Sequence, residues 1–186
     1  MKNDKWLDEY FNLYRESIFQ PRIYKDLFAI KELWANAAQN GRKIIFAGNG
    51  GSAAMASHCA VDLTKNAGLR AINFNEADLI TCLGNDFGYD LWMAKAVEFY
   101  GDSGDVLVLI SSSGRSRNVI AAAEQARKME IQVVTFSGFE TDNPLRREGS
   151  INLWVDCNAY NIVEMTHHIW LLSIIDLIVG SAEYPA

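Results

Sequence analysis

The sequence predicts an α/β protein built on a doubly wound parallel sheet, and three observations carry that prediction. From Lys43 onward, short apolar runs alternate with longer helical stretches, the pattern of repeated strand–helix–strand units. Two of these runs end in small-residue turns that lead directly into a helix. Ile44-Ile45-Phe46-Ala47 runs into Gly48-Asn49-Gly50-Gly51-Ser52, and Val106-Leu107-Val108-Leu109-Ile110 runs into Ser111-Ser112-Ser113-Gly114-Arg115-Ser116. Residues 5–40 and the segment from about 160 instead repeat apolar residues at helical spacing.

The elements follow in order. Trp6, Tyr10, Leu13, Tyr14 and Ile18 mark a first helix, and Ile23, Leu27, Ile30, Leu33 and Trp34 a second, with a break near Gln20-Pro21 where proline cannot continue a helix. Then come strand 43–47, helix 52–65, a short strand around 70–73 and helices 76–83 and 90–100. Strand 106–110, helix 116–129, strands 132–136 and 151–155, and a C-terminal helix from about 160 complete the chain. The absence of linker, repeat or low-complexity segment predicts one domain over residues 1–186, with 1–40 as a helical appendage and 41–186 as the α/β core.

Composition narrows the function classes. A net charge of −6 weighs against nucleic acid as a partner. The opening residues lead into no apolar signal core, and no apolar run is read as membrane-spanning, so a cytoplasmic protein with no membrane partner is expected. Cys59, Cys82 and Cys157 form no C-x-x-C pair and read as reduced, buried thiols.

The two turns carry the chemistry. Glycines between a strand and a helix let the backbone approach a ligand, and free N–H groups at the helix start attract an anion. The glycine turn matches neither G-x-G-x-x-G nor the Walker pattern. Four hydroxyls over the six residues of the serine turn suit a phosphate monoester that must be held and released. Together the turns predict a phosphorylated ligand gripped at the strand ends. The C-terminal helix has almost no polar face across Ile162, Val163, Met165, Ile169, Trp170, Leu171, Leu172, Ile174 and Ile175. Such a helix calls for burial on all sides, with part of the cover from another subunit.

Gly48-Asn49-Gly50-Gly51-Ser52, Gly84-Asn85-Asp86-Phe87-Gly88, Gly104-Asp105-Val106-Leu107 and Ser111-Ser112-Ser113-Gly114-Arg115-Ser116-Arg117-Asn118 together resemble the sugar isomerase (SIS) domain, a flavodoxin-like fold. Within it they are most similar to the phosphoheptose isomerase branch, and the resemblance spans the whole chain. It implies conversion of sedoheptulose 7-phosphate to D-glycero-D-manno-heptose 7-phosphate for heptose, lipopolysaccharide or capsule precursors, by a homotetramer with active sites at subunit interfaces. Ser52, Ser111, Ser113 and Ser116 fall on positions that bind the sugar phosphate, with Ser112 in the same turn. Asn49, Gly50 and Gly51 match residues along the sugar chain, and Asp86 matches a carboxylate directed at sugar hydroxyls.

The resemblance breaks at the catalytic positions. The branch carries a His and a Glu four apart on the first long helix, and a Gln and a His on the last helix; together these can hold zinc. Here His58 matches the first His and Asp62 stands at the Glu position. Aligning Glu164 with the glutamate of the last helix puts Val163 on the Gln, Leu171 on the His and Tyr160 on a substrate-binding Asp. Glu164 lies three and four residues before His167 and His168, so it can share a helix face with either, as His58 does with Asp62. Asp62, His58 and His168 are therefore the catalytic candidates, with Asp62 expected as the base and His58 or a C-terminal histidine serving the oxygens. Glu164 is a candidate for binding the substrate, and His58 and Asp62 are the metal candidates should zinc be used; no cofactor is required. The alternative is a phosphosugar-binding SIS protein that has lost catalysis, like relatives that associate with the replication initiator.

Overall fold

Five parallel strands form the centre of the molecule in the order β2-β1-β3-β4-β5. They are β1 (Ile44–Gly48), β2 (Ala71–Asn73), β3 (Val106–Ser111), β4 (Gln132–Gly138) and β5 (Ile151–Val155). The computed structural model describes residues 2–184, with side chains from residue 4; residues 1, 185 and 186 of the expected domain lie outside the described residues. Every residue of β1 and β3 is buried, as a strand covered on both faces requires of an unbroken apolar run.

Alternation along the strands divides the core in two. Ile44, Phe46, Val106, Val108 and Ile110 pack on one face with α2 (Tyr24–Gln39), α3 (Gly51–Lys65) and α7 (Tyr160–Val179). Ile45, Ala47, Leu107 and Leu109 pack on the other with α5 (Trp92–Tyr100) and α6 (Arg117–Lys128), and Leu83 of α4 (Ala77–Phe87) joins them. The first helix, α1 (Lys2–Ile18), lies along α7. Asp105, buried at the entry to β3, accepts the Lys43 backbone N–H at 3.0 Å and meets its ammonium at 2.6 Å. The Gly104-Asp105 segment thus fixes the end of the sheet opposite the turns.

Three readings need correction. Helix α4 runs four residues beyond 83, because Gly84, Asn85 and Asp86 continue the turn until Gly88 stops it with φ +82°. Only Cys59 is buried; Cys82 is exposed on α4, and Cys157 is half-buried against the edge of the core. Burial pushes the Cys59 thiol up to about 12, so it is inert. Helix α7 is buried by its own chain at Ile162, Val163, Trp170, Leu171, Ile174 and Ile175, while Met165 and Ile169 remain about 40% exposed and Leu172 is half-buried. Its 20 residues, at a mean hydropathy of 1.6, do reach membrane-spanning length and apolarity. Length and composition cannot separate a span from a core helix; here α1, α2, α3 and β4 all pack on α7, which makes it a core helix.

Candidate functional site

The strand order turns around between β1 and β3, and in such sheets ligands bind in the crevice that this leaves beyond the strand ends. Gly48 pairs with Ile110 in register, so the glycine and serine turns leave the sheet side by side. A reciprocal amide pair ties them together. Asn49 Nδ2 donates to Asn118 Oδ1 at 3.0 Å, and Asn118 Nδ2 donates back to Asn49 Oδ1 at 2.9 Å. The Tyr89 hydroxyl adds a bond to Asn49 Oδ1 at 3.3 Å.

Within the serine turn, Ser111 Oγ and Ser116 Oγ lie 3.3 Å apart, and Ser113 Oγ accepts the Arg115 N–H at 3.3 Å. The Ser112 carbonyl accepts from Gly138 N–H at 2.8 Å, while its buried hydroxyl has no partner. Gly114 holds φ +61°, and a Cβ there would collide with the Asn143 amide, so the turn requires glycine. Ser52 is buried in the first turn of α3, just after Gly50 and Gly51. Arg115 and Arg117 lean toward Asp142 at 3.7 Å and Asp90 at 3.4 Å in exposed pairs. Hydroxyls and the amides at two helix starts therefore stand together at the strand ends, the groups an anion would meet there.

A cleft of ≈ 530 Å³ begins at Gly51 and runs along α3 and α7, reaching His58, Glu164 and His168. Glu164 closes over Gly51 so tightly that a Cβ there would lie 2.5 Å from Oε2. His58 Nδ1 and His168 Nε2 are 2.8 Å apart, and His58 Nε2 stands 3.3 Å from Asp62 Oδ2. The result is a linear chain, Asp62–His58–His168, in which Asp62 meets the cleft through His58. We place the proton of His58 on Nε2, where it faces the Asp62 carboxylate at ion-pair distance. Nδ1 of His58 then accepts from His168 Nε2–H, and Nδ1 of His168 is left as the free acceptor at the end of the chain.

The local environment tunes these groups. Burial, and next the neighbouring His58, hold His168 below the usual imidazole range, which keeps it neutral. Burial raises Glu164. His167 is wholly buried, donates Nε2–H to the Ser137 carbonyl at 3.0 Å and is pushed down to about 4 by desolvation. It ties α7 to β4, so of the two adjacent histidines His168 is the one in the cleft. Val163 and Leu171, which replace the Gln and His of the resemblance, are fully buried in the core. Zinc does not fit this arrangement: the facing atoms of His58 and Asp62 engage each other, and among the described residues no group of three or more His, Cys, Asp or Glu could hold an ion.

Asp86 is exposed and bonds within α4, to Asn85 at 2.9 Å and Cys82 at 3.8 Å; from its segment it is Tyr89 that reaches the glycine turn. Asn118 and Tyr89 were not read as site residues because their bonds to Asn49 join segments 69 and 40 residues away in sequence. Tyr10 and Tyr14 also line the cleft, although their spacing marked them only as core positions of α1.

Comparison with known proteins agrees with this architecture. The model of the SIS domain family matches residues 16–138. A phosphoheptose isomerase of Buchnera aphidicola subsp. Acyrthosiphon pisum is 32% identical over 152 residues, covering 79% of this chain and 78% of the relative. That of Colwellia psychrerythraea is 36% identical over 146 residues, 74% of each chain. The solved structure of phosphoheptose isomerase GmhA from Neisseria gonorrhoeae superposes with a TM-score of 0.86 at 28% identity, covering 95% of this chain and 97% of that one. With the 2-1-3-4-5 sheet, the paired turns at its switch point and matches along most of its length, this chain belongs to the SIS domain family.

Proposed function

We propose that the protein is a phosphoheptose isomerase, converting sedoheptulose 7-phosphate to the corresponding aldose phosphate. The observation that carries this reading is the Asp62–His58–His168 chain in a cleft that starts beside the anion cradle. The relatives named phosphoheptose isomerase support the same assignment over a scaffold-only role. Ser52, Ser111, Ser113 and Ser116, with the buried Ser112, hold the phosphate, and Asn49, Gly50 and Gly51 bound the sugar chain.

In the reaction, Nδ1 of His168 takes the proton from C1 of the ketose as the C2 carbonyl oxygen is protonated, giving an enediol. The positive charge on His168 is shared through His58 with Asp62, which also fixes both rings. Return of the proton to C2, with loss of the proton on O1, forms the aldose. Glu164, raised by burial, serves the two oxygens. Asp86 acts on sugar hydroxyls only if its helix approaches a ligand or a neighbouring subunit.

We further place the enzyme in the cytoplasm as a homotetramer. A groove of ≈ 630 Å³ between α1, α2 and α7 is lined by apolar side chains such as Phe19, Phe28, Ile169 and Leu177, which suits cover by another copy. Incubation of purified protein with sedoheptulose 7-phosphate, followed by assay of the aldose, tests the function. Turnover that disappears in His168→Ala supports it; no turnover above that variant, with or without added zinc, sinks it.

A further inference from the structure

The cleft has a third wall that neither the turns nor the acid–base chain uses. Trp6, Tyr10 and Tyr14 follow one another every four residues and so share a face of α1. Trp6 stacks on Tyr10 with centroids 5.2 Å apart and planes 11° apart, and Tyr10 meets Tyr14 edge-on at 5.4 Å and 83°. Tyr10 and Tyr14 line the cleft opposite His58, Glu164 and His168.

Their hydroxyls define what this wall can recognise. Tyr14 O–H donates to the Asn161 carbonyl at 3.4 Å, and the two tyrosine oxygens are 3.2 Å apart. With its proton committed to Asn161, Tyr14 accepts from Tyr10. Both phenolic protons are thus engaged inside the protein, and acceptor capacity on the oxygens is what remains for a ligand. Burial and the neighbouring Tyr10 push Tyr14 up to about 12, so Tyr14 stays uncharged. Among the described residues no Lys or Arg lines the cleft, and Glu164 brings a carboxylate into it. An anion is disfavoured here; an uncharged chain rich in O–H donors is favoured. Along α3, Gly51 and His58 are separated by about 10 Å, room for a carbon chain between a phosphate held at the turns and the atoms being isomerised.

We infer that Tyr10 and Tyr14 bind the hydroxylated carbon chain of the sugar phosphate, accepting from its O–H groups and packing their rings on its C–H edges. This inference rests on the isomerase reading above and makes α1 a specificity element of the site. Tyr10→Phe and Tyr14→Phe keep the rings and remove only the hydroxyls. With sedoheptulose 7-phosphate, each is expected to raise KM about 3- to 10-fold, the range for a lost neutral hydrogen bond, with kcat within about twofold. The double variant should cost less than the product of the two single effects, since the hydroxyls act as a linked pair. Inhibition by inorganic phosphate and the melting temperature should not move. An unchanged KM overturns the inference, and so does a parallel loss of phosphate inhibition, which would mean that the tyrosines only support the fold. If the wild type shows no turnover, the isomerase reading fails by itself. Calorimetric binding of sedoheptulose 7-phosphate then decides the tyrosines: affinity weakened by the same factor upholds their role, and unchanged affinity removes it.

Discussion

His168 owes its place in the site to a neighbour 110 residues away in sequence, and its chemistry to what surrounds it. Because it is held below the ordinary imidazole value, it is neutral at neutral pH. A base must be unprotonated to act, so kcat/KM should fall as pH drops through that lowered value, placing the acid limb of the profile below about 6.5. A limb above that value would remove His168 from the role. His168→Ala should lower kcat by about 100- to 10,000-fold with KM little changed. Asp62→Asn should also lower kcat, because the amide can reverse the tautomer of His58 while keeping its shape; stopped-assay kinetics check both. At the cradle, Ser113→Ala should weaken inorganic phosphate binding by about 1–3 kcal/mol, the scale of a hydrogen bond to a charged group, as measured by calorimetry.

Helix α7 shows how one element serves both core and site. Its inward face buries Val163, Trp170, Leu171 and Ile174, while Glu164 and His168, four apart, emerge together into the cleft. Between these faces His167 is locked to β4 in neutral form, with its folded-state value near 4 against about 6.5 when unfolded. The unfolded chain then binds the extra proton between these values, so stability falls as pH drops from about 6.5 toward 4. The loss is about 3 kcal/mol at most from this group, by the conversion of pKa difference to free energy. His167→Gln, which retains a donor for Ser137, should flatten that part of the stability–pH curve in denaturant titrations. A slope identical to wild type would place the acid sensitivity elsewhere.

For the whole molecule, the unfinished surface is the apolar groove where α1 and α2 meet α7. Phe19 is 68% exposed there and Phe28 54%, unusual for large apolar side chains gathered in one groove. Ile169→Glu puts a charge into this groove without touching the cleft, which α7 presents through Met165 and His168 instead. Sedimentation should show the variant at a smaller mass than wild type, with its circular dichroism retained. A wild type that already sediments as a monomer, or an unchanged mass in the variant, would contradict the proposed assembly.

The order of strands and helices was legible in the sequence because buried parallel strands must be continuously apolar, and the glycine and serine turns mark where they end. The two turns proposed to hold the phosphate were legible for the same reason: each is consecutive in sequence, while the pairing of β1 with β3 sets them side by side. The proposed acid–base chain was only partly so. Spacing of four joins His58 to Asp62 and Glu164 to His168, but nothing in that spacing says that His168, rather than the adjacent His167, meets His58. That was decided by the rotation of α7, set by burying Val163, Trp170 and Leu171 against the sheet and α3. Asn118, Tyr89 and the tyrosines of α1 reached the site in the same way, through packing between elements distant in the chain. Sequence determines contacts whose partners are neighbours along a strand, turn or helix face; contacts between elements are chosen by how their apolar faces fit, and that choice exists only once the core is assembled.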